Sequence, residues 1–406
     1  ESLLRSGINK LFPLFNTFLS PKVLLIDTGL TFLNEILLNF KLYQSPVTFM
    51  TKHDKQKNYD SGLRESFKNK KSSKKRDFNI FFEQIFFDIL PTEFVESFNY
   101  YYSFPNRQNW PNEKKVKLII TQSTSSSIKR IILSRYIGQK NKLFILQHGG
   151  GYGIARSHVG DMMESYFGKK FLTWGWKDKD KKNLPFFSLK LSQNKNQIEK
   201  NKQKKNIIFF ISTYTSFFQK IGFWPSNNYQ RLLQFNSIKK LINKLNNNVR
   251  KYLIVRYPRL GMERGGINFN KNFFGKKVVF DSCKIPSHKV LNRKTLTIHE
   301  NINGTSWLET IAFNIPTMLL VDTKTQEVRS NFKKYFKVLK KNNIIFTDPF
   351  LLSKFLNNNF ENIYDWWNSN KLQKVRNSIV KNYSNINKNP VSYMKKIIKD
   401  ELSKNY

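Results

Sequence analysis

Apolar residues fall into two rhythms along this chain. Up to residue 102 they recur at helical spacing. "GINKLFPLFNTFL" and "KVLLIDTGLTFLNEILLNFKLY" fill the first 45 residues, and a third run extends from Phe78 to Tyr102, with Pro91 opening a new segment. Between them, residues 51–77 are rich in lysine and serine with almost no aliphatics, which reads as an exposed loop or insertion. Beyond residue 115 short continuous apolar runs alternate with amphipathic ones. "VKLIITQS" (116–123) has a buried-strand pattern, residues 125–139 a helical one with a serine N-cap, and "KLFILQ" (142–147) a second strand pattern. Together they predict a βαβ unit with parallel strands and a right-handed crossover. "DMMESYFG" and "KFLTWGW" continue the alternation.

Residues 192–206, "SQNKNQIEKNKQKKN", interrupt it with lysine, asparagine and glutamine and read as an interdomain linker. The alternation then restarts with strands "IIFFIST", "YLIVRYP", "KVVFDS", "TLTIHEN", "PTMLLVD" and "NIIFTD". Helices fall between them, over 229–245, near 287–292, at "SWLETIAFN" and over 328–341. The last 55 residues are helical in pattern. The expectation is an α/β chain of two Rossmann-like, doubly wound domains facing across a cleft, with helical N- and C-terminal segments. The boundaries read as 1–191, a linker 192–206, a second domain 207–350, and C-terminal helices 351–406. In such sheets ligands bind outside the carboxyl ends of the strands, so the loops after the strands hold the candidate chemistry.

Composition narrows the function classes. Of 406 residues 39% are hydrophobic and 15% aromatic, ample for folded cores. One cysteine, Cys283, leaves no intramolecular disulfide and favours a reducing compartment, here the cytoplasm. No apolar run reaches the roughly 18 residues of a bilayer span, since even "NIFFEQIFFDIL" contains Glu83 and Asp88. The start "ESLLRSG" lacks an initiator Met, which suggests that upstream residues are missing. A net charge of +42 invites a nucleic-acid reading, but the cations are spread along the chain and no nucleic-acid motif organises them. Anionic lipid headgroups or phosphorylated substrates account for the charge at least as well.

Three constellations stand out. Gln147, His148, Gly149, Gly150, Gly151 and Tyr152 follow a strand. Glycines there admit a ligand against the backbone or simply make a tight turn, and His148 is the side chain suited to proton transfer near neutral pH. Asp161 and Glu164, 13 and 16 residues beyond His148, are carboxylates placed either near the same cleft or, as isolated acids, in solvent. The second constellation is "HENINGTSWLETIAFNIPTMLLVD", where Thr305 or Ser306 caps a helix whose N-terminal end suits a phosphate. Glu309 in that helix suits a ribose diol or, equally, a capping box. In the third, "VRYPRLGMERGG", Arg256, Arg259 and Arg264 cluster in a chain poor in arginine, a residue type favoured for bidentate phosphate contacts. Metal-ligand spacings, GxSxG, the P-loop and GxGxxG are all absent from the sequence, so neither a metal nor a bound cofactor is expected.

"NGTSWLETIAFNIPTML" resembles the donor-binding element of GT-B glycosyltransferases. "QHGGGYGIARS", "ESYFGKKFLTWGW", "NGTSWLETIAFNIPT" and "DWWN", in that order, resemble a family of transferases from O-antigen and other surface-polysaccharide loci. The resemblance covers roughly residues 100–385. It implies a GT-B-like fold and a transfer reaction without supplying a substrate; the expected reaction is metal-independent transfer of a sugar from a nucleotide-activated donor to a glycan or lipid-linked acceptor. The enzyme would be cytoplasmic or peripheral at the inner face of the membrane. Asn303, Gly304, Thr305, Ser306 and Glu309, with Arg256 and Arg259, would hold the donor. The domain carrying His148 would present the acceptor, with His148, Asp161 or Glu164 as base. Transfer of a polyol phosphate, as in teichoic-acid-type polymerases, is the alternative within the same architecture; a non-catalytic basic protein directed to nucleic acid or membrane is the alternative outside it.

Overall fold

The computed structural model describes residues 20–47, 57–68, 78–107, 110–124, 126–137, 141–200, 205–211, 228–257, 271–275, 278–281 and 284–404. The fold is α/β, with two parallel sheets of five and six strands. The chain divides into two compact units, one of Glu1–Leu146, Phe167–Lys169 and Val391–Tyr406, the other of Gln147–Tyr166 and Lys170–Pro390.

The first unit contains strands β1 (Val23–Ile26), β2 (Leu118–Thr121) and β3 (Lys142–Leu146), all parallel, with Val23 paired to Leu118 and Leu118 to Lys142. Its helices include α1 (Phe32–Lys41), α2 (Phe78–Ile89) and α3 (Ser127–Ile137), the last forming the crossover between β2 and β3 as the pattern predicts. "KVLLID" differs from its helical expectation: it is the strand β1. Its four apolar residues are all buried, and Asp27 (φ 48°) and Gly29 (φ 80°) turn the chain before Thr31 caps α1. A fully buried strand and a buried helical turn have the same apolar signature over four residues. The described part of the lysine-rich stretch also holds more structure than a loop. Ser61–Ser66 is helical, and Arg64 is buried in a bidentate pair with Glu96 (Nε–Oε1 2.6 Å, Nη2–Oε2 2.8 Å). That contact holds the Glu96 carboxyl well down, at about 2.

The second unit begins with α4 (Val159–Phe167), the parallel pair β4 (Lys170–Thr173) and β5 (Asn183–Pro185), and α5 (Leu189–Lys200). Residues 192–200 of the polar stretch read as a linker are therefore helical. The large sheet follows, formed by β6 (Asn206–Phe210), β7 (Leu253–Arg256), β8 (Val279–Phe280), β9 (Thr295–His299), β10 (Thr317–Leu320) and β11 (Ile345–Phe346). Its spatial order, β11-β10-β9-β6-β7-β8, is that of a doubly wound Rossmann sheet whose switch point lies between β6 and β9. Helices α6 (Asn228–Lys244), α7 (Ser306–Ala312), α8 (Ser330–Lys341), α9 (Pro349–Asn359) and α10 (Asn370–Tyr383) accompany it. Ile207, Phe209, Phe235, Ile238, Leu253, Leu296, Ile298, Met318 and Leu352 form the core on the α6 and α9 side. Pro349 at the first position of α9, behind the Asp348 cap, ends the sheet and starts the terminal helices.

Candidate active site

Gln147 opens the site, and its side chain is spent on structure. The Oε1 atom accepts from Trp174 N and Trp176 Nε1, both at 2.8 Å, while Nε2 donates to Gly149 O at 2.7 Å. With its carboxamide engaged at both ends, Gln147 fixes the turn that follows it.

The glycines answer a packing demand. A Cβ on Gly150 would lie 2.3 Å from Gly304 O and 2.8 Å from Thr305 N, so backbone of the loop after β9 occupies the space a side chain would need. Gly151 and Gly153 have φ of 86° and 69°, and a Cβ on Gly153 would strike the Trp176 ring at 2.6 Å. The Gly150 amide donates to Thr305 Oγ1 at 2.8 Å. Two motifs whose contacting residues lie 155 positions apart in sequence are thus joined within one compact unit.

His148 projects from this turn with 38% of its side chain exposed. Behind it, Tyr152 and Glu164 are buried, and the Tyr152 hydroxyl lies 2.9 Å from His148 Nδ1 and donates to Glu164 Oε2 at 2.9 Å. Glu164 Oε2 is itself 3.6 Å from His148 Nδ1. Burial, reinforced by Glu164, pushes the Tyr152 phenol far up, so it stays protonated. Asp161, on the same helix α4, does not join His148. It is buried, accepts from Gly153 N, and is paired with Arg329 (Nη2–Oδ2 2.6 Å), whose Nε also donates to Ala155 O. Burial raises its carboxyl against the pull of Arg329, and the pairing makes it a brace for the turn. His158, its ring tilted against Tyr152 with centroids 4.1 Å apart, is held down at about 4 by burial and by His148 nearby.

Across the Gly150 contact, the loop 300–305 is braced from both ends. Gln326 Nε2 donates to Glu300 O and Gln326 Oε1 accepts from Ile302 N, while Trp307 Nε1 donates to Ile302 O. Asn303 presents its backbone carbonyl to Gly151 and donates its amide to Asn301 Oδ1. Thr305 stands at the N-cap of α7 without a side-chain cap bond, because its hydroxyl serves Gly150. Ser306 Oγ lies 2.9 Å from Nδ1 of His299, a fully buried imidazole stacked on Phe210 and held down at about 3 by burial. Glu309 makes no capping box: its Oε1 accepts from Lys190 Nζ at 2.9 Å, with the carboxylate 13% exposed. Lys190 was missed because its signal, one lysine among 70 basic residues, is no signal at all.

The third constellation separates. Arg256 is buried at the end of β7, paired with Asp281 and donating to Ile285 O, so its guanidinium is committed to the loop after β8. Arg259 and Arg264 lie outside the described residues. Among the described residues no cluster of three metal-ligating side chains occurs, and no helix is long and apolar enough to cross a membrane.

A family profile described as LIC12162 family transferase matches residues 2–398. The chain belongs to that family. Like its relatives in the family, the protein is a transferase, and among solved structures it is similar to Staphylococcus aureus MnaA in a co-structure with UDP. That alignment has 9% identity, 94% of this chain, 96% of the other and a TM-score of 0.50. It is also similar to the wall teichoic acid polymerase TagF (12% identity, 71% and 75% covered, TM-score 0.39). Acinetobacter baumannii MurG is similar too (10%, 77% and 80%, 0.39). At 9% identity the likeness to MnaA is one of fold alone, and the fold is the GT-B-like α/β architecture. No curated protein matches the chain.

Proposed function

We propose that this transferase moves a sugar from a nucleotide-activated donor to a hydroxyl of a surface-polysaccharide acceptor. The observation that carries the reading is the Gly150–Thr305 contact, which sets His148 beside the loop 301–305 and α7 inside one unit. His148 takes the proton of the acceptor hydroxyl as that oxygen bonds to the anomeric carbon. The bond from that carbon to the donor phosphate breaks, and the nucleoside diphosphate leaves with the electron pair. Glu309 suits the ribose hydroxyls of the donor, with Lys190 moving from the carboxylate to the diphosphate. The MnaA co-structure with UDP supports a nucleotide ligand for this fold.

A lipid-linked acceptor at an anionic membrane surface fits α4. This helix turns Asp161 and Glu164 inward and leaves Val159, Met162, Met163 and Tyr166, at i, i+3, i+4 and i+7, exposed on its outer face. An apolar stripe on the helix that carries Glu164 suits the chain of an amphiphile whose head reaches His148. The net charge of +42 favours an anionic surface, on the cytoplasmic side.

Thermal-shift screening against UDP, GDP, CDP, CMP and dTDP identifies the donor nucleotide, since a ligand at a hundredfold its Kd stabilises by about 2.7 kcal/mol. With that donor, His148→Gln is expected to lower turnover at least a hundredfold while leaving nucleotide binding intact. Wild-type turnover in His148→Gln, or a phosphodiester product, would overturn the reading.

A further inference from the structure

Gln326, Glu327, Val328 and Arg329, in the loop after β10, touch both halves of the candidate site. At one end the Gln326 carboxamide closes on the loop after β9, donating to Glu300 O at 2.7 Å and accepting from Ile302 N at 2.9 Å. At the other end the chain pairs with the segment that follows the glycine turn. Arg156 N donates to Glu327 O at 3.0 Å and Arg329 N to Ile154 O at 2.8 Å, which makes Ala155 and Val328 a non-hydrogen-bonded antiparallel pair between two ladder bonds. The Arg329 guanidinium completes the join. Its Nε donates to Ala155 O and its Nη2 to the buried Asp161 carboxylate, which in turn accepts from Gly153 N.

We infer that residues 326–329 are a positioning strap that fixes His148 relative to the loop 300–305, with Gln326 holding the donor side and Arg329 the side of the base. The strap is anchored beyond its own bonds. Arg329 is the N-cap residue of α8, and Phe332 in the first turn of that helix is fully buried, edge-on to Trp307, whose Nε1 donates to Ile302 O. An arginine suits this place because one side chain serves a carbonyl and a carboxylate at once. A base and a donor loop held in one body keep the reacting atoms in register, and a misplacement of about 1 Å costs on the order of a hundredfold in rate. The positioning role rests on the proposed function; the strap itself does not.

The strap is tested first without substrate. Cα atoms of a non-hydrogen-bonded pair lie about 4.5 Å apart, inside the range that a disulfide spans. Ala155→Cys/Val328→Cys, in a chain whose one native cysteine is removed by Cys283→Ser, should therefore oxidise in air to an intramolecular disulfide, read by thiol titration. Two free thiols in the folded, air-oxidised protein would overturn the inference. Once a substrate is available, the oxidised protein should turn over within about twofold of its reduced form, because the pairing persists through the reaction. Loss of turnover on oxidation, restored by dithiothreitol, would overturn the inference as well. Arg329→Met should lower kcat about ten- to a hundredfold with the donor KM little changed, whereas Gln326→Ala should raise the donor KM. Wild-type kcat in Arg329→Met would overturn the positioning role, and the disulfide decides the strap even if that variant misfolds. Full turnover in His148→Gln, with the disulfide closed and Arg329→Met slow, would instead overturn the proposed function alone.

Discussion

Gly150→Ala tests whether the two motifs are joined as described. The added Cβ would sit 2.3 Å from Gly304 O, 2.6 Å from Gly304 C and 2.8 Å from Thr305 N, all backbone atoms that no rotamer change can move. Overpacking of this kind costs about 1–3 kcal/mol. Separating the loops also strains the Gly150–Thr305 hydrogen bond, worth about 1 kcal/mol, while the lower entropy of the unfolded alanine chain returns roughly 0.4–1 kcal/mol. The net expectation is a loss of about 2–3 kcal/mol, which for a unit of this size lowers Tm by roughly 5–10 °C. Gly149→Ala is the control, because its Cβ would meet only the Thr305 side chain, at 3.1 Å, and should cost less than about 1 kcal/mol. Urea unfolding followed by tryptophan fluorescence measures both. A Gly150→Ala protein within about 0.5 kcal/mol of the wild type would show that the loops are not packed together, and the site would lose its geometric basis.

Two further predictions concern stability. His158 and His299 are held at about 4 and about 3, below the ordinary histidine value, because burial disfavours the imidazolium. Below pH 6.5 the unfolded chain therefore takes up protons that the fold refuses, and stability falls with pH by roughly 1.4 kcal/mol per unit for each histidine. Denaturation midpoints between pH 6.5 and 5 should show this slope, and His299→Asn should remove about half of it; an unchanged slope would refute a buried neutral His299. Arg64→Ala should cost about 3–5 kcal/mol, since it leaves Glu96 buried without its cation. The pair's contribution is present above the ordinary glutamate range and lost as pH falls toward about 2, so the gap between variant and wild type should narrow in acid; an equal gap at pH 7 and pH 3 would exclude the ion pair as its source.

Periodicity located nearly every element of the second unit because its sheet is buried on both faces, so each strand is a bare apolar run between amphipathic helices. The same rule failed at "KVLLID", where four buried residues carry too little length to tell strand from helical turn. At the candidate site the motifs themselves were legible, because a histidine behind three glycines and a strand-to-helix loop are local patterns. What each polar group spends its hydrogen bonds on was not legible. Asp161 and Glu164 look alike in "DMMES", yet three residues of helix turn one toward Arg329 and the other toward Tyr152. Thr305 looks like a cap, and its hydroxyl instead holds a glycine 155 positions away in sequence.

Arginine offers the signal that was underused. In a chain whose basic residues are mostly lysine, a lysine is retained wherever a point charge suffices, and arginine marks positions where a planar fork is needed. The structure bears this out at named sites. Arg64 grips Glu96 bidentately, Arg231 pairs with buried Glu300 at 2.5 Å, and Arg329 links Asp161 to Ala155 O. Arg376 donates to Ile311 O and Ala312 O, covering the carbonyl end of α7, and burial lowers it to about 10. Arg256 belongs to the same set. Its burial with Asp281 makes it a fastener of the loop after β8, so a search for phosphate partners of the proposed donor should turn to Lys190, which the helix α5 holds half-exposed beside Glu309.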